Sequence, residues 1–195
     1  KNRENIEKDF FDKISPKLAE IKNGFFFLSG MANDETAELV FTADGNPQNI
    51  VFIEELVNAA PQIKGWLFTT HKKAMEINDM GISMGDYTFN SENIYFYYNE
   101  FKDYPDQIDL VLFHDDLKEE NKNEVANGVY IFLDNYLGEL EFLTTIDHID
   151  FKQKDEAEKE LIPISKLKEF LNWREKEFIE KYDGIRKNTD KDKFA

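Results

Sequence analysis

The sequence lacks the residues and motifs on which many enzymes and membrane proteins depend. It contains no cysteine, which excludes disulfide bonds and thiol chemistry. No apolar run approaches the ~20 residues that a membrane-spanning helix needs. The sequence also has no glycine-rich phosphate loop, no paired-histidine metal motif and no nucleophile elbow. The 195 residues therefore carry no recognised catalytic motif, and no cofactor is expected.

Basic residues are scarce relative to acidic ones. The chain has 24 lysines and arginines against 40 aspartates and glutamates, a formal net charge of −16 at pH 7. Such a charge repels phosphate backbones and anionic lipid surfaces, so neither nucleic acid nor a membrane is an expected partner. The charge is first explained by improved solubility, and attraction to a basic protein partner is the alternative explanation.

The organisation of the chain is that of one globular domain. The hydrophobic content is 41%, with 18 phenylalanines, and no segment rich in proline, glycine or serine divides the chain. We expect a single domain over residues 1–195, with an N-terminal helix and a frayed tail after about residue 184. Residues 1–20 contain no apolar signal-peptide core, and a cytoplasmic location is expected, although the chain begins at Lys1 rather than Met.

The clearest local pattern is a strand that turns sharply into a helix at residues 44–47. Gly45 suits a positive φ, Asn46 can accept from the first free N–H groups of a helix, and Pro47 suits the first helical position. Asp44 and Gly45 do not form a calcium loop, because the Asp/Asn ladder and the closing glutamate of that motif are absent.

Hydrophobic periodicity predicts four helices and six strands, in the order α-β-β-α-β-β-β-α-β-α. This order lacks the strict βαβ alternation of a wholly parallel sheet, so the predicted class is α+β, with a mostly antiparallel sheet packed by about four helices. The predicted helices span residues 6–21, 47–60, 124–137 and 164–182, and the predicted strands span 25–28, 38–42, 65–70, 94–98, 108–114 and 146–151.

The helix predicted over residues 124–137 has the most regular pattern. We expect its apolar stripe to face the sheet, and Gly138 to end the helix in a left-handed conformation. Gly128 lies in the middle of this helix, where it costs roughly 1 kcal/mol relative to alanine, which indicates close approach of another backbone or a ligand contact. The stripe consists of Val125, Val129, Phe132, Leu133, Tyr136 and Leu137.

Three segments between residues 38 and 151 resemble an uncharacterised bacterial protein family, a domain of unknown function. The resemblance implies a shared fold, and because that family has no assigned activity it implies no catalytic residue. The segments are Thr42-Ala43-Asp44-Gly45-Asn46-Pro47 with Glu54-Glu55-Leu56-Val57, then Ala59-Ala60-Pro61 with Gly65-Trp66, and Leu133-Asp134 with Leu137-Gly138-Glu139.

A histidine and two aspartates at the end of a predicted strand form a weak polar cluster. His114, Asp115 and Asp116 can bind a metal or relay protons if they meet His148, which lies in a later predicted strand. Alternatively, His114 continues the apolar face of its strand and lies at the edge of the core with both ring nitrogens hydrogen-bonded. His148 is then part of a solvated, charged face.

Aromatic residues provide a second candidate site. Tyr95, Tyr97 and Tyr98 lie on a predicted strand whose alternation sends Tyr95 and Tyr97 to one face and Tyr98 to the other, so one face can be a binding surface. A small-molecule pocket between this sheet and the helix at 124–137 would include Gly128. Trp66 and Trp173 are expected to be core residues.

Two glutamates follow the end of the same helix. Paired carboxylates such as Glu139 and Glu141 can act as acid and base when their environments differ, but we expect the pair to lie on a surface strand or loop.

Three functions follow as hypotheses. The first is a non-enzymatic, acidic protein-interaction domain of the inhibitor or immunity type. The alternatives are a small-molecule binding domain and a metal-assisted hydrolase using His114, Asp115, Asp116 and His148.

Overall fold

The computed structural model describes residues 7–101 and 104–191. That part of the chain contains α-helices and mostly antiparallel strands, which confirms the predicted α+β class. A π-helical turn, Glu7–Phe11, precedes the first helix. The helices are α1 (Asp12–Ile21), α2 (Ile50–Asn58), α3 (Lys122–Leu137), α4 (Glu139–Thr145) and α5 (Leu167–Lys191). The strands are β1 (Phe26–Asn33), β2 (Thr36–Thr42), β3 (Trp66–Thr70), β4 (Ile82–Met84), β5 (Tyr87–Phe89), β6 (Ile94–Phe101), β7 (Tyr104–His114), β8 (His148–Phe151) and β9 (Ile162–Pro163).

The chain divides into two compact units. Unit 1 runs to Ala74 and also takes in Gly138–Thr144, whereas unit 2 contains Met75–Leu137 and the chain from Thr145 onward. The single domain expected over residues 1–195 stays a prediction. At the C-terminus, α5 continues through the predicted end at Tyr182 to Lys191, and residues 192–195 lie outside the described part of the chain.

Unit 1 contains a three-stranded sheet in the order β1-β2-β3. Strand β2 pairs antiparallel with β1 and parallel with β3, and α2 connects the two parallel strands. The hairpin between β1 and β2 was predicted, but its strands extend through most of the segment predicted as a loop. Only Asp34 and Glu35 lie between them.

The predicted turn at residues 44–47 is confirmed. Gly45 has φ +85°, and the Asn46 side chain accepts a hydrogen bond of 3.1 Å from the backbone N–H of Gln48. Pro47 begins a short 3-10 turn, Pro47–Asn49, that continues into α2. Asp44 also has a positive φ, +46°, a conformation that is uncommon for residues other than glycine.

One face of the unit 1 sheet forms the core of that unit. Leu39 and Phe41 of β2 pack with Leu18 of α1 and Ile53 of α2, all of them buried. Trp66 of β3 packs against this cluster and stacks on Phe10 and Phe68, at centroid distances of 5.0 and 6.3 Å, as expected for a core residue.

Unit 2 contains a four-stranded sheet in the order β8-β7-β6-β9 and a separate β4–β5 hairpin. Strand β6 is antiparallel to β7 and β9, whereas β8 is parallel to β7. The β4–β5 hairpin, the short helix α4 and strand β9 were not predicted, because segments of two to seven residues carry too little periodic pattern.

Helix α3 has the predicted apolar stripe. All six stripe residues are buried, with exposures of 0–4%, and Gly138 follows the helix with φ +84°. The predicted face and the predicted terminator are both confirmed.

Helix α5 contributes Leu167 and Leu171 to the core of unit 2. Its Phe170 ring stacks on Tyr98 of β6 at 4.2 Å. Trp173, in contrast, is 54% exposed, so its assignment to the core was wrong. No helix in the described part of the chain has the length and apolarity that crossing a bilayer requires.

Candidate functional site

The tyrosines of β6 do not form an open binding surface. Tyr97 is 2% exposed and packs with Phe113 under Ala157 and Leu161. Ala157 and Leu161 pack on the face that contains Tyr97, and Phe170 of α5 stacks on Tyr98 on the other face. Because Tyr97 is buried, the interpretation of Tyr95, Tyr97 and Tyr98 as a binding site was wrong. Alternation along a strand predicts which side chains share a face, but it does not predict which other residues cover that face.

Lys154 closes the same side of the sheet over Tyr95. Its ammonium lies 3.9 Å from the Tyr95 ring centroid and pairs with the carboxylate of Asp115. Burial lowers the pKa of Lys154, but the interactions with Asp115 and Tyr95 together outweigh burial and raise the pKa overall. Tyr95 and Asp115 therefore contact the ammonium group of Lys154.

Gly128 has a packing role. A Cβ at this position would lie 2.1–2.6 Å from three ring atoms of Phe89, which is itself fully buried on β5. The ring fills the space in which the small-molecule pocket was expected. The hypothesis of a ligand contact at Gly128 is therefore replaced by close packing of α3 on the β4–β5 hairpin.

This contact predicts the effect of Gly128→Ala. The substitution improves helix propensity by about 1 kcal/mol, but the methyl group has to displace a buried ring, and overpacking of this kind typically costs 1–3 kcal/mol. We expect a net loss of stability in urea melts. Asn123→Ala, an exposed position on the same helix, should stay within about 0.5 kcal/mol of wild type. A more stable Gly128→Ala protein would contradict the contact with Phe89.

His114 is a core-edge histidine with both nitrogens engaged. Its Nε2–H donates to the carbonyl of Thr88 at 2.9 Å, and its Nδ1 accepts from the backbone N–H of Asp116 at 3.1 Å. The side chain is buried, and its ring lies 4.9 Å from that of Phe89. The structural interpretation of His114 is confirmed, since no ring nitrogen is left for a metal or for proton transfer.

His148 lies far from His114. It is exposed at the start of β8, where the register places it opposite Asp109 of β7. His114 is five residues further along β7, about 16 Å away at ~3.3 Å per residue. Metal–ligand bonds are about 2 Å long, so the two histidines cannot share a metal.

Asp115 and Asp116 are the remaining residues of the predicted polar cluster. Asp115 pairs with Lys154, and Asp116 is exposed. Among the residues that the structure describes, no group of three histidine, aspartate or glutamate side chains is placed to hold a metal ion. The metal-assisted hydrolase hypothesis therefore has no site at the four residues on which it was based.

The structure instead brings polar side chains together at the carboxyl ends of β2 and β3. Glu139, the first residue of α4, is fully buried there. Its Oε1 accepts three hydrogen bonds, from the Thr42 hydroxyl at 2.6 Å and from the backbone N–H groups of Ala43 and Asp44 at 2.7 and 3.0 Å. Its Oε2 accepts from the backbone N–H of Lys72 at 3.2 Å. The expectation that Glu139 lies on a surface strand or loop was wrong.

His71 lies beside this carboxylate, directly after β3. It has φ +58°, its side chain is 6% exposed, and its Nδ1 is 3.8 Å from Glu139 Oε2. Its Nε2 is 4.0 Å from Oε1 of Glu54 on α2. Neither ring nitrogen has a hydrogen-bond partner among the described residues. A strained, buried and unsatisfied histidine between two carboxylates is the type of arrangement that occurs at functional sites.

An open groove of about 460 Å³ is lined by Glu54, whose carboxylate faces His71, and by Lys73. Glu54 and Asn58 of α2 line it on one side, and Phe68, Thr69 and Thr70 of β3 line it on the other. The carboxyl ends of parallel strands are the usual position for ligands in sheets that contain βαβ units. We refer to Glu54, His71 and Glu139 with this groove as the carboxyl-edge site.

Compared with known proteins, the chain matches no family model, no curated sequence and no solved structure. The resemblance to a bacterial family of unknown function stays a prediction.

A second surface of unit 1 is the sheet face opposite its core. The strand register places Phe26 and Leu28 of β1, Val40 of β2 and Leu67 of β3 on this face. Phe26, Leu28 and Leu67 are 51%, 50% and 40% exposed. These four residues are called the open face below.

Strand β1 is also an edge strand, since β2 is the only strand in the described part of the chain that pairs with it. The segment from residue 24 to residue 33 contains no charged side chain and no proline, in a chain that is 33% charged. Charged residues and prolines are the devices that commonly protect an exposed edge, and this edge has neither.

Proposed function

We propose that the protein is a non-enzymatic protein-interaction domain, of the inhibitor or immunity type, and that it binds a basic partner on the open face and the edge of β1. The observation that carries this proposal is the exposure of Phe26, Leu28 and Leu67 on one sheet face. Contiguous apolar surface with an adjacent unpaired strand edge is typical of docking surfaces.

The geometry supplies the two components that a protein interface needs. The open face provides an apolar centre with an aromatic residue, the type of surface that contributes most binding energy. The outer edge of the eight-residue strand β1 pairs with no other strand among residues 7–101 and 104–191, so it has room for one strand of a partner.

The charge of the chain supports a basic partner. The net charge of −16 favours a basic protein, because complementary charge speeds encounter and disfavours acidic competitors. Acidic side chains also border the docking surface, since the exposed Asp34 and Glu35 form the turn between β1 and β2.

Paired substitutions test this proposal. The double variant Phe26→Ser, Leu28→Ser removes apolar area from the open face, and Val51→Ser, Phe52→Ser removes a matched pair of exposed apolar residues from α2. Each protein is used to capture partners from a native lysate at low and moderate salt, and the affinity for the captured protein is then measured by calorimetry.

We expect a basic protein that the α2 variant binds like wild type and that the open-face variant binds at least tenfold more weakly. Affinity should also fall as salt rises, because part of the attraction is electrostatic. Capture that is insensitive to the open-face substitutions would overturn the proposal. So would the absence of any basic partner, or a concentration-dependent dimer that forms through the same face.

A further inference from the structure

Strand β3 is the other edge of the unit 1 sheet, since β2 is the only strand in the described part of the chain that pairs with it. Just after β3, the backbone N–H of His71 donates to the carbonyl of Phe41 on β2 at 2.8 Å. Backbone groups alternate in direction along a strand, so those of Thr69 also point toward β2. The N–H and carbonyl groups of Phe68 and Thr70 therefore point away from β2, where a further strand can reach them.

Two cavities follow this edge. The first is the groove of about 460 Å³ described above, which Phe68, Thr69 and Thr70 line. The second has a volume of about 560 Å³ and lies around the turn before β3, where Ile63 forms part of its wall. Val57 and Phe68 line both cavities, so the two lie side by side along the strand. We refer to the two cavities that share Val57 and Phe68 as the β3 groove.

Charge is distributed unevenly along the β3 groove. Glu54 and Lys73 line the first cavity, and the ammonium of Lys73 lies 3.9 Å from a carboxylate oxygen of Glu38. Both signs of charge are therefore present at that end. In the second cavity, Lys64 is the one charged side chain among the described residues of the wall, and most of the others are apolar. This end of the groove favours an anionic group with an apolar group beside it.

We propose that the β3 groove binds the extended C-terminus of a polypeptide, which adds to β3 as an antiparallel strand and places its carboxylate beside Lys64. Antiparallel pairing is slightly more stable per residue than parallel pairing, and it directs the C-terminus of the ligand to the start of β3. Lys64 lies at that end, two residues before the strand begins at Trp66. A C-terminal residue with an apolar side chain carries both groups that the second cavity favours.

The sheet also determines which side chains of the ligand enter the groove. Trp66 and Phe68 lie on the core face of the sheet, where they pack in the same apolar cluster as Leu39 and Val57. Successive side chains of a strand point to opposite faces, so every second side chain of the ligand lies on this face. We therefore expect apolar residues at the last and third-last positions of the ligand.

The probe is an acetylated pentapeptide, Lys-Thr-Val-Thr-Val, with a free C-terminal carboxylate. Its valines occupy the last and third-last positions, and its lysine keeps it soluble. The control peptide has the same sequence but ends in an amide, so it lacks the terminal negative charge. Hydrogen exchange of the backbone amides, measured by NMR, locates the peptide on the protein, and calorimetry gives the affinities.

In the free protein, we expect the amides of Phe68 and Thr70 to exchange faster than those of Leu67 and Thr69, which point toward β2. When the free-acid peptide occupies roughly nine-tenths of the protein, exchange at Phe68 and Thr70 should slow about tenfold, because only the unbound tenth exchanges. The amides of β1 should exchange as before, since the peptide lies at the opposite edge of the sheet.

The role of Lys64 is tested with matched variants. The free acid should bind about threefold more tightly than the amide, an effect within the range of an exposed ion pair. Lys64→Gln should bind the two peptides equally. Lys17→Gln removes a lysine from an exposed position on α1 and should keep the preference for the acid. Lys64 is exposed as well, so both variant proteins should fold like wild type.

Four results would overturn the proposal. The first is slow exchange of Phe68 and Thr70 in the free protein, because their N–H groups would then already be bonded. The second is unchanged exchange at these amides with about 5 mM peptide, a concentration above the Kd of even a weak complex. The third is protection of β1 in place of β3. The fourth is equal affinity of wild type for the acid and the amide, or a preference for the acid that Lys64→Gln retains.

Discussion

Replacing Phe132 with alanine is expected to lower the free energy of unfolding by about 3–5 kcal/mol. Phe132 is fully buried on α3, and its ring lies 5.9 Å from that of Tyr136 on the same helix. Truncation removes the transfer free energy of the ring and leaves a cavity that the surrounding side chains fill only partly. The loss is a large share of the ~5–15 kcal/mol that stabilises a domain.

Urea melts of Phe132→Ala and Asn135→Ala measure this difference. Asn135 is partly buried on the same helix, and its side-chain amide donates only to the carbonyl of Ile131 one turn earlier. Asn135→Ala should therefore change stability by less than about 0.5 kcal/mol. Equal losses for the two variants would show that the apolar stripe of α3 is not the core face.

Glu139→Ala is expected to destabilise unit 1 by about 3–5 kcal/mol. The substitution leaves four donors without their acceptor: the Thr42 hydroxyl and the backbone N–H groups of Ala43, Asp44 and Lys72. A buried donor that loses its partner costs roughly 1–3 kcal/mol, and water entering the vacated space recovers part of the sum.

Two further variants make the Glu139 prediction specific. Glu139→Gln keeps one oxygen for the three donors on Oε1 but places an amide donor opposite the Lys72 N–H, so its loss should be smaller than that of the alanine variant. Glu55→Ala removes an exposed glutamate from the same unit and should be close to neutral. Chemical denaturation should show the largest loss of stability for Glu139→Ala, a smaller loss for Glu139→Gln and almost none for Glu55→Ala. A Glu139→Ala protein as stable as wild type would contradict the role of the carboxylate.

The elements that were predicted correctly are those whose formation depends on residues close together in the sequence. The stripe of α3 repeats every three or four residues, and Gly45 and Gly138 occupy turns that require a positive φ. These features depend on neighbours within one or two turns of chain. The α+β class follows from the order of such elements, and therefore it could also be predicted.

The carboxyl-edge site could not be predicted in the same way. Glu139 binds residues that lie 67 to 97 positions earlier in the chain, and no periodic pattern spans that distance. One indication was available, a histidine directly after a strand that ends a β-α-β segment, where ligands commonly bind. The tyrosines of β6 illustrate the opposite error, because their alternation was clear but the segment that covers them had no regular pattern.

The contacts of Glu139 have a consequence for the order in which the protein folds during synthesis. Unit 1 begins at the N-terminus, but the carboxylate that satisfies the ends of β2 and β3 follows unit 2 residues 75–137 in the chain. At about 5–20 residues per second, the ribosome needs several seconds to add that segment. During this interval the nascent sheet has its strands but not its buried acceptor, while the uncharged strand β1 is already outside the ribosome. Unit 1 therefore cannot be completed until residues 75–137 of unit 2 have been synthesised.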